Sequence, residues 1–322
     1  MRSLNLAILV PCLVLRGSDD FEVLRRIDSA NRSIAQRQFQ KAIDDLLPAM
    51  RLGKRQGASE QALGAALIDL GYAYRMLGRC RDAIGALTGA MRYWDRGYVS
   101  LDQARAAGIS LLASYLECGD SEPAARFWTR TLAPMALKFD SLSPDLAGIL
   151  AVGALVQEVR KQYADSEQLY TRAIGIWERE PEINRDKITV AQSHRAVMRA
   201  HLRRMANAID DAGESLEELA RTKALEPPAR AVVLNNVAVV YLMDRRFDQA
   251  GDCLKRAVGI ADRTPIRSAP EIFANYALLL RKTGHREAAK VAQFRADDLA
   301  VQRVHGSIGQ TVDISEFNAS WR

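Results

Sequence analysis

The sequence lacks the short motifs that identify most nucleotide-binding and hydrolytic enzymes. It contains no P-loop, no GxSxG, no HExxH and no dinucleotide-binding fingerprint. Its four cysteines form no CxxC pair and no Cys/His pair at metal-binding spacing. We therefore expect no metal ion and no cofactor, and we interpret the cysteines as small apolar residues packed within helices.

The net charge of the chain is also small. The chain has 45 basic and 39 acidic residues, which give a net charge of +6 at pH 7. This charge is spread thinly along the sequence, and no nucleic-acid recognition motif accompanies it. The sequence therefore argues against nucleic acid as a partner.

Long apolar runs are limited to the first 20 residues. The run from Leu4 to Leu15 follows a basic start and is broken only by Asn5 and Pro11. It is too short to span a bilayer, so we expect no integral membrane span, but it has the length of a signal-peptide core. No A-x-A cleavage site follows it. Between an exported protein (periplasmic or secreted) whose residues 1–17 direct export and a cytoplasmic protein with an N-terminal lead-in, the sequence favours export.

What the sequence does contain is a ladder of small residues. Successive members are separated by 41, 41, 42, 42, 42 and 39 positions. A constant period of roughly 20–50 residues is typical of stacked repeats. The members, which we call the anchors, are Ala42, Ala83, Ala124, Ser166, Ala208, Ala250 and Ala289.

The residues around each anchor predict a pair of helices. Small residues recur twelve positions before and seven after the anchors, and large apolar residues lie between them at helical spacings. Gly78, Gly119 and Gly284 lie five positions before their anchors, where the turn between two helices is expected. We predict an all-α solenoid of about seven helical hairpins over residues 22–304, curved into a superhelix and followed by a tail, 305–322.

This pattern resembles the tetratricopeptide repeat, a stacked helix-turn-helix. The best-matching segments run from Leu67 to Ala90, from Leu234 to Ala257 and from Phe273 to Ala296. The period near 42 is similar to the longer subtype found in kinesin light chains and many bacterial proteins. The resemblance implies a non-catalytic scaffold or adaptor that binds a protein or an extended peptide in its concave groove.

A second, mostly polar column lies fourteen positions before the anchors. Its members are Asp28, Asp69, Ser110, Val152, His194, Asn236 and Asn275. In similar repeats this column faces the groove, and its amides can pair with any peptide backbone. The alternative is that these residues cap turns or bond a neighbouring helix. The predicted groove residues are Asp69, Tyr72, Arg75, Ser110, His194, Asn236, Asn275 and Arg281.

Two other functions remain as alternatives. A peptide-sensing regulator would use similar repeats, although bacterial regulators of that kind carry an additional N-terminal module. A helical-toroid enzyme would need paired carboxylates in the groove, for which Asp28 and Asp69 are the only candidates. The sequence makes no prediction of the oligomeric state, and the tail could cover the last repeat or bind a partner.

The fifth repeat departs most from the pattern. Arg195 and Arg199 occupy positions where bulky or apolar residues are usual, which suggests a local weak spot. With Arg203 and Arg204 they form a basic stripe. We expect this stripe to be a solvated surface, neutralised by three glutamates of the following helix: Glu214, Glu217 and Glu218.

Overall fold

The structure is a computed structural model that describes residues 18–222 and 225–306. Those residues form helices and no strands. The helices are α1 (Ser18–Ala35), α2 (Phe39–Gln56), α3 (Glu60–Met76), α4 (Cys80–Asp95), α5 (Leu101–Glu117), α6 (Ser121–Phe127), α7 (Ala133–Ala136), α8 (Pro144–Val159), α9 (Tyr163–Trp177), α10 (Pro181–His201), α11 (Met205–Arg221), α12 (Pro227–Met243), α13 (Phe247–Ala261), α14 (Ala269–Lys282) and α15 (Arg286–Gly306). A π-helical turn, Trp128–Leu132, joins α6 to α7.

Consecutive helices form pairs that pack against each other, such as α3 with α4 and α12 with α13. The predicted all-α fold of helical hairpins is therefore confirmed. The helices belong to two compact units: the first holds the described residues up to Ala124, and the second runs from Ala125 to Val304.

The anchors are almost completely buried in every repeat. Six of the seven have no exposed surface, and Ala289 is 2% exposed. A small side chain at this point lets the second helix of a pair approach the first. Ser166 is tolerated because its hydroxyl donates to the carbonyl of Ala154 on the facing helix, at 2.9 Å.

The turn inside every hairpin has the same backbone geometry. The residue five positions before each anchor has a left-handed φ, between 58° and 85°. Its N–H donates to the carbonyl three residues earlier, and the next N–H donates to the carbonyl five residues earlier. These two bonds define the Schellman helix end. The seven residues are Arg37, Gly78, Gly119, Lys161, Arg203, Arg245 and Gly284.

Four of these turns carry a basic residue instead of glycine, which predicts a stabilising substitution. A side chain in the left-handed region costs about 1 kcal/mol, so Arg245→Gly is expected to raise the free energy of unfolding by about that amount. Arg256→Gly, in the exposed middle of α13, should instead lower it by about 1 kcal/mol. Urea unfolding followed by circular dichroism measures both. Equal losses in the two variants would contradict the strain argument.

The π-helical turn has a local cause. Pro134 offers no N–H to the carbonyl of Arg130, and its ring would collide with that carbonyl in a regular α-helix, so the helix widens just before it. Trp128 of this turn packs against Gly153 of α8. A Cβ at Gly153 would collide with the Trp128 ring, so this approach requires glycine.

The interpretation of all the cysteines as unlinked packing residues is wrong for two of them. Cys80, at the start of α4, and Cys118, directly after α5, form a disulfide with their Cα atoms 5.8 Å apart. Their sequence separation of 38 positions hid the pairing, because it depends on how α4 and α5 pack. Cys253 is a free, buried thiol, as predicted.

Candidate functional site

Three predicted groove residues of the first unit contact neighbouring helices or lie half-buried. The Tyr72 ring meets the Phe39 ring edge-on, with centroids 6.1 Å apart. The Arg75 Nη2 atom lies 3.0 Å from Glu117 Oε1, which joins α3 to α5. Ser110 is half-buried on α5. Two of the three therefore link helices within the unit.

Asp69 on α3 differs from these residues because no described residue forms a hydrogen bond or ion pair with it. It is half-buried, and burial raises the pKa of its carboxyl group to about 7. In contrast, Asp28 is exposed and pairs with Arg32 at 2.8 Å. The two carboxyl groups considered for a catalytic pair thus lie in different environments.

The raised pKa of Asp69 predicts that this residue lowers the free energy of unfolding by an amount that depends on pH. The folded state keeps its proton up to about pH 7, whereas the unfolded state loses it near pH 4, so stability falls as pH rises between these values. Because the carboxyl keeps some contact with water, we expect Asp69→Asn to raise the unfolding free energy by about 2 kcal/mol at pH 8 and by little at pH 4. Chemical unfolding at both pH values tests this.

Asp28→Asn is the control for that experiment. Its exposed ion pair contributes no more than about 0.5 kcal/mol at either pH. If Asp69→Asn does not raise the unfolding free energy at pH 8, the half-buried carboxyl does not destabilise the folded state.

In the second unit, hydrogen bonds connect the first helices of four successive repeats: α8 to α10, α10 to α12, and α12 to α14. The donor–acceptor distances are 2.9, 3.2 and 2.9 Å. The pairs, in that order, are Glu158 with His194, Ser193 with Asn236, and Asn235 with Asn275. We call these six side chains the polar ladder.

Three of the predicted groove residues, His194, Asn236 and Asn275, belong to the polar ladder. Each bonds a neighbouring first helix, which is the alternative that the sequence left open. Asn236 is only 8% exposed. Asn235 and Asn275 are half-buried, and their bond uses one donor and one acceptor. Among the described residues, nothing binds the Asn235 amide nitrogen or the Asn275 amide oxygen.

At the α8 end of the ladder, Glu158 accepts two bonds on one oxygen. His194 Nδ1 lies 2.9 Å from Glu158 Oε2, and the Tyr170 hydroxyl donates to the same atom at 3.3 Å. The His194 and Tyr170 rings are stacked, 5.5 Å apart. Burial lowers the pKa of His194, the Glu158 carboxylate raises it, and the net shift is upward. Burial, with help from Glu158, raises the pKa of Tyr170 well above its usual value.

A mainly apolar cavity of about 350 Å³ opens beside His194. Its walls come from α8, α9 and α10 and from the segment before α12. The lining residues are Ala151, Val152, Leu155, Tyr170, Trp177, Asp186, Lys187, Val190, Ala191, His194 and Leu225. Val152, the one apolar member of the predicted column, thus faces this cavity.

Arg281, the last predicted groove residue, lies apart from the polar ladder. It is exposed on α14, and its Nη1 donates to Gln293 Oε1 on α15 at 3.4 Å. It lines a separate cavity of about 590 Å³ together with Phe294, whose side chain is 75% exposed.

Three arginines of the basic stripe pair with buried carboxylates, whereas Arg203 is exposed, so the stripe is only in part the solvated surface that we expected. Arg195 and Arg199 both bind Asp211, at 2.8 and 2.9 Å, and Asp211 has only 4% of its side chain exposed. Arg199 and Arg204 both bind Glu167, at 3.1 and 2.6 Å. The expected weak spot of the fifth repeat is therefore a charge network that joins α9, α10 and α11.

Of the three glutamates expected to neutralise the stripe, Glu214 interacts with the charge of Arg195, whereas Glu217 and Glu218 pair with an arginine outside the stripe. Glu214 accepts from Gln192 at 3.0 Å. Glu217 and Glu218 both pair with Arg221. Helical spacing placed the right charges on neighbouring helices but did not show which carboxylates turn inward.

Comparison with known proteins gives a likeness of structure without a likeness of sequence. No family model and no curated protein matches the chain. Apo RapI superposes with a TM-score of 0.72 at 10% identity, over 88% of this chain and 99% of RapI. A tetratricopeptide repeat protein from Parabacteroides merdae gives 0.59 at 14% identity, over 90% and 100% of the two chains. NprR in complex with its cognate peptide NprX gives 0.61 at 12% identity, over 95% and 90%.

The fold is that of the tetratricopeptide-like helical repeat proteins. This confirms the fold expected from the resemblance, while the 42-residue subtype stays a prediction. No helix in residues 18–222 and 225–306 is long and apolar enough to cross a membrane. The signal-peptide hypothesis falls on residues 1–17, outside the described part of the chain. The predicted tail, 305–322, also lies outside it except for residues 305 and 306, which belong to the end of α15.

Proposed function

We propose that this protein is a non-catalytic tetratricopeptide-like scaffold or sensor that binds an extended peptide along the polar ladder of its second unit. The observation that carries the proposal is the Asn235–Asn275 pair. Their mutual bond orients both amides, yet the Asn235 amide nitrogen and the Asn275 amide oxygen have no described partner. A peptide unit carries one N–H and one C=O, so a pair of amides in this state matches any backbone.

The rest of the ladder supports the same role. Asn236 is held by Ser193, and His194 is held by Glu158, so these side chains are oriented before a ligand arrives. Preorganised polar groups bind with a smaller loss of conformational entropy than mobile ones. The ladder also follows successive first helices, the arrangement needed for a ligand that extends across several repeats.

The similar structures favour a peptide ligand and keep the sensor alternative open. NprR was solved with its cognate peptide, and a Rap conjugation gene regulator was solved with the Phr* peptide. Proteins of this fold thus include regulators that bind peptides. We place the scaffold first, because the ladder accounts for binding and no described feature of this chain accounts for signalling.

The test is a selection of random ten-residue peptides displayed on phage, using the full-length protein as bait. Isothermal titration calorimetry of the enriched peptides should show binding that falls at least tenfold in the Asn235→Ala, Asn275→Ala double variant. The control is Asn207→Ala with Gln249→Ala, which removes two exposed amides from α11 and α13. Equal affinity of both double variants, or no enriched peptide, would reject the proposal.

We also propose that the protein is exported. The support is the Cys80–Cys118 disulfide, because disulfides persist mainly in oxidising compartments. A fusion of residues 1–30 to a reporter that is active only outside the cytoplasm tests the assignment. Reporter activity equal to that of a leaderless fusion would favour the cytoplasmic alternative.

A further inference from the structure

The cavity beside His194 has a feature that packing does not explain. Trp177 lines it and is 4% exposed, and its indole Nε1 has no hydrogen-bond partner in the described structure. A buried donor without an acceptor destabilises the folded protein. We propose that this cavity binds one large apolar side chain of the peptide, and that Trp177 donates to the adjoining backbone carbonyl. The inference rests on the proposed function.

The walls fit an apolar side chain. Leu155, Val190 and Leu225 are aliphatic, and Tyr170 adds the face of an aromatic ring. The volume of about 350 Å³ can hold leucine, methionine or phenylalanine with space for the neighbouring backbone. Burying such a side chain contributes about 1.5–3 kcal/mol, which is enough to change affinity ten- to a hundredfold.

The polar groups at the cavity match a peptide better than a free hydrocarbon. Asp186 forms no hydrogen bond or ion pair with any described residue, so its carboxylate can accept a backbone N–H. Lys187 donates to Asn184 at 2.9 Å and lies 5.8 Å from the centre of the Trp177 ring. A peptide unit next to the inserted side chain supplies both the carbonyl for Trp177 and the N–H for Asp186.

The position of the cavity links it to the polar ladder. His194 belongs to both, so a peptide paired with the ladder reaches the cavity on α8 without leaving the first helices. Val152 lies at the cavity wall in the column position where other repeats carry polar residues. The α8 repeat thus replaces backbone recognition by side-chain recognition.

The experiment uses the full-length protein labelled with ¹⁵N-tryptophan and the peptides enriched in the selection. The chain has four tryptophans, so its indole spectrum is simple, and Trp177→Phe assigns one signal. Enriched peptides should share one Leu, Met or Phe position. Changing that residue to alanine should lower affinity at least tenfold, and the parent peptide alone should shift the Trp177 signal.

Val152→Trp, which fills the cavity, should make the parent and alanine peptides bind equally weakly. Circular dichroism checks that this variant folds. The Trp177 signal of the wild type reports peptide binding at the cavity without relying on the variant. A Trp177 signal that no bound peptide moves would overturn the cavity proposal, and so would a shift caused by decanoate alone. If peptides bind and need Asn235 and Asn275 but never the cavity, the proposed function stands; if none binds, both fall.

Discussion

Replacing Asp211 with alanine is expected to lower the free energy of unfolding by about 3–5 kcal/mol. Asp211 accepts hydrogen bonds from Arg195 and Arg199, and its side chain is 4% exposed. Without Asp211, Arg195 and Arg199 on α10 lose the carboxylate that they share. Arg195, whose side chain is 11% exposed, cannot reach water easily and stays buried with an uncompensated charge.

Glu217→Ala is the matched control, because Glu217 also pairs with an arginine but is 69% exposed. It should cost no more than about 1 kcal/mol. Urea unfolding at pH 7 measures both variants. A loss below 1 kcal/mol for Asp211→Ala would mean that the network is solvated, as the sequence first suggested, and that the fifth repeat is held by its apolar contacts alone.

Replacing Cys118 with serine is expected to lower the free energy of unfolding by about 4 kcal/mol. The disulfide closes a loop of 38 residues, and cross-linking a loop of that length restricts the unfolded chain by this amount in the chain-entropy account. The loss should appear in the first unit, where both cysteines lie. Addition of dithiothreitol to the wild type should give a similar loss, measured by thermal unfolding.

Cys253→Ser distinguishes the disulfide from the chemistry of a buried thiol. Cys253 is free and 4% exposed, and burial raises the pKa of its thiol to about 11. This variant should keep the full response to dithiothreitol, whereas Cys118→Ser should lose it. A wild type whose melting is unchanged by dithiothreitol would contradict the stabilising role of the disulfide.

The helical scaffold could be predicted because its causes are local and repeated. A small anchor residue and a turn five positions earlier recur in every repeat, so seven weak signals reinforce one another. The sequence does not reveal the four turns with Arg or Lys, because glycine is the usual signal for a left-handed residue. There, the two helix-ending hydrogen bonds impose the left-handed geometry despite the side chain.

The site was predictable only as a column of positions. Spacing placed His194, Asn236 and Asn275 on successive first helices, but it could not show their partners. Those partners, such as Asn235 and Ser193, lie on other repeats and come within reach only after the helices pack. The role of Trp177 was hidden for the same reason, because an indole without an acceptor can be recognised only when its surroundings are known.

The central claim is that the polar ladder binds a peptide through hydrogen bonds to its backbone. A scan of N-methylated peptides tests this claim most directly. Each residue of one enriched peptide is N-methylated in turn, which removes a backbone N–H and keeps the side chain. The account predicts that at least one methylation lowers affinity tenfold or more, and that this loss disappears in the Asn235→Ala, Asn275→Ala variant. A peptide that tolerates methylation at every position would contradict it.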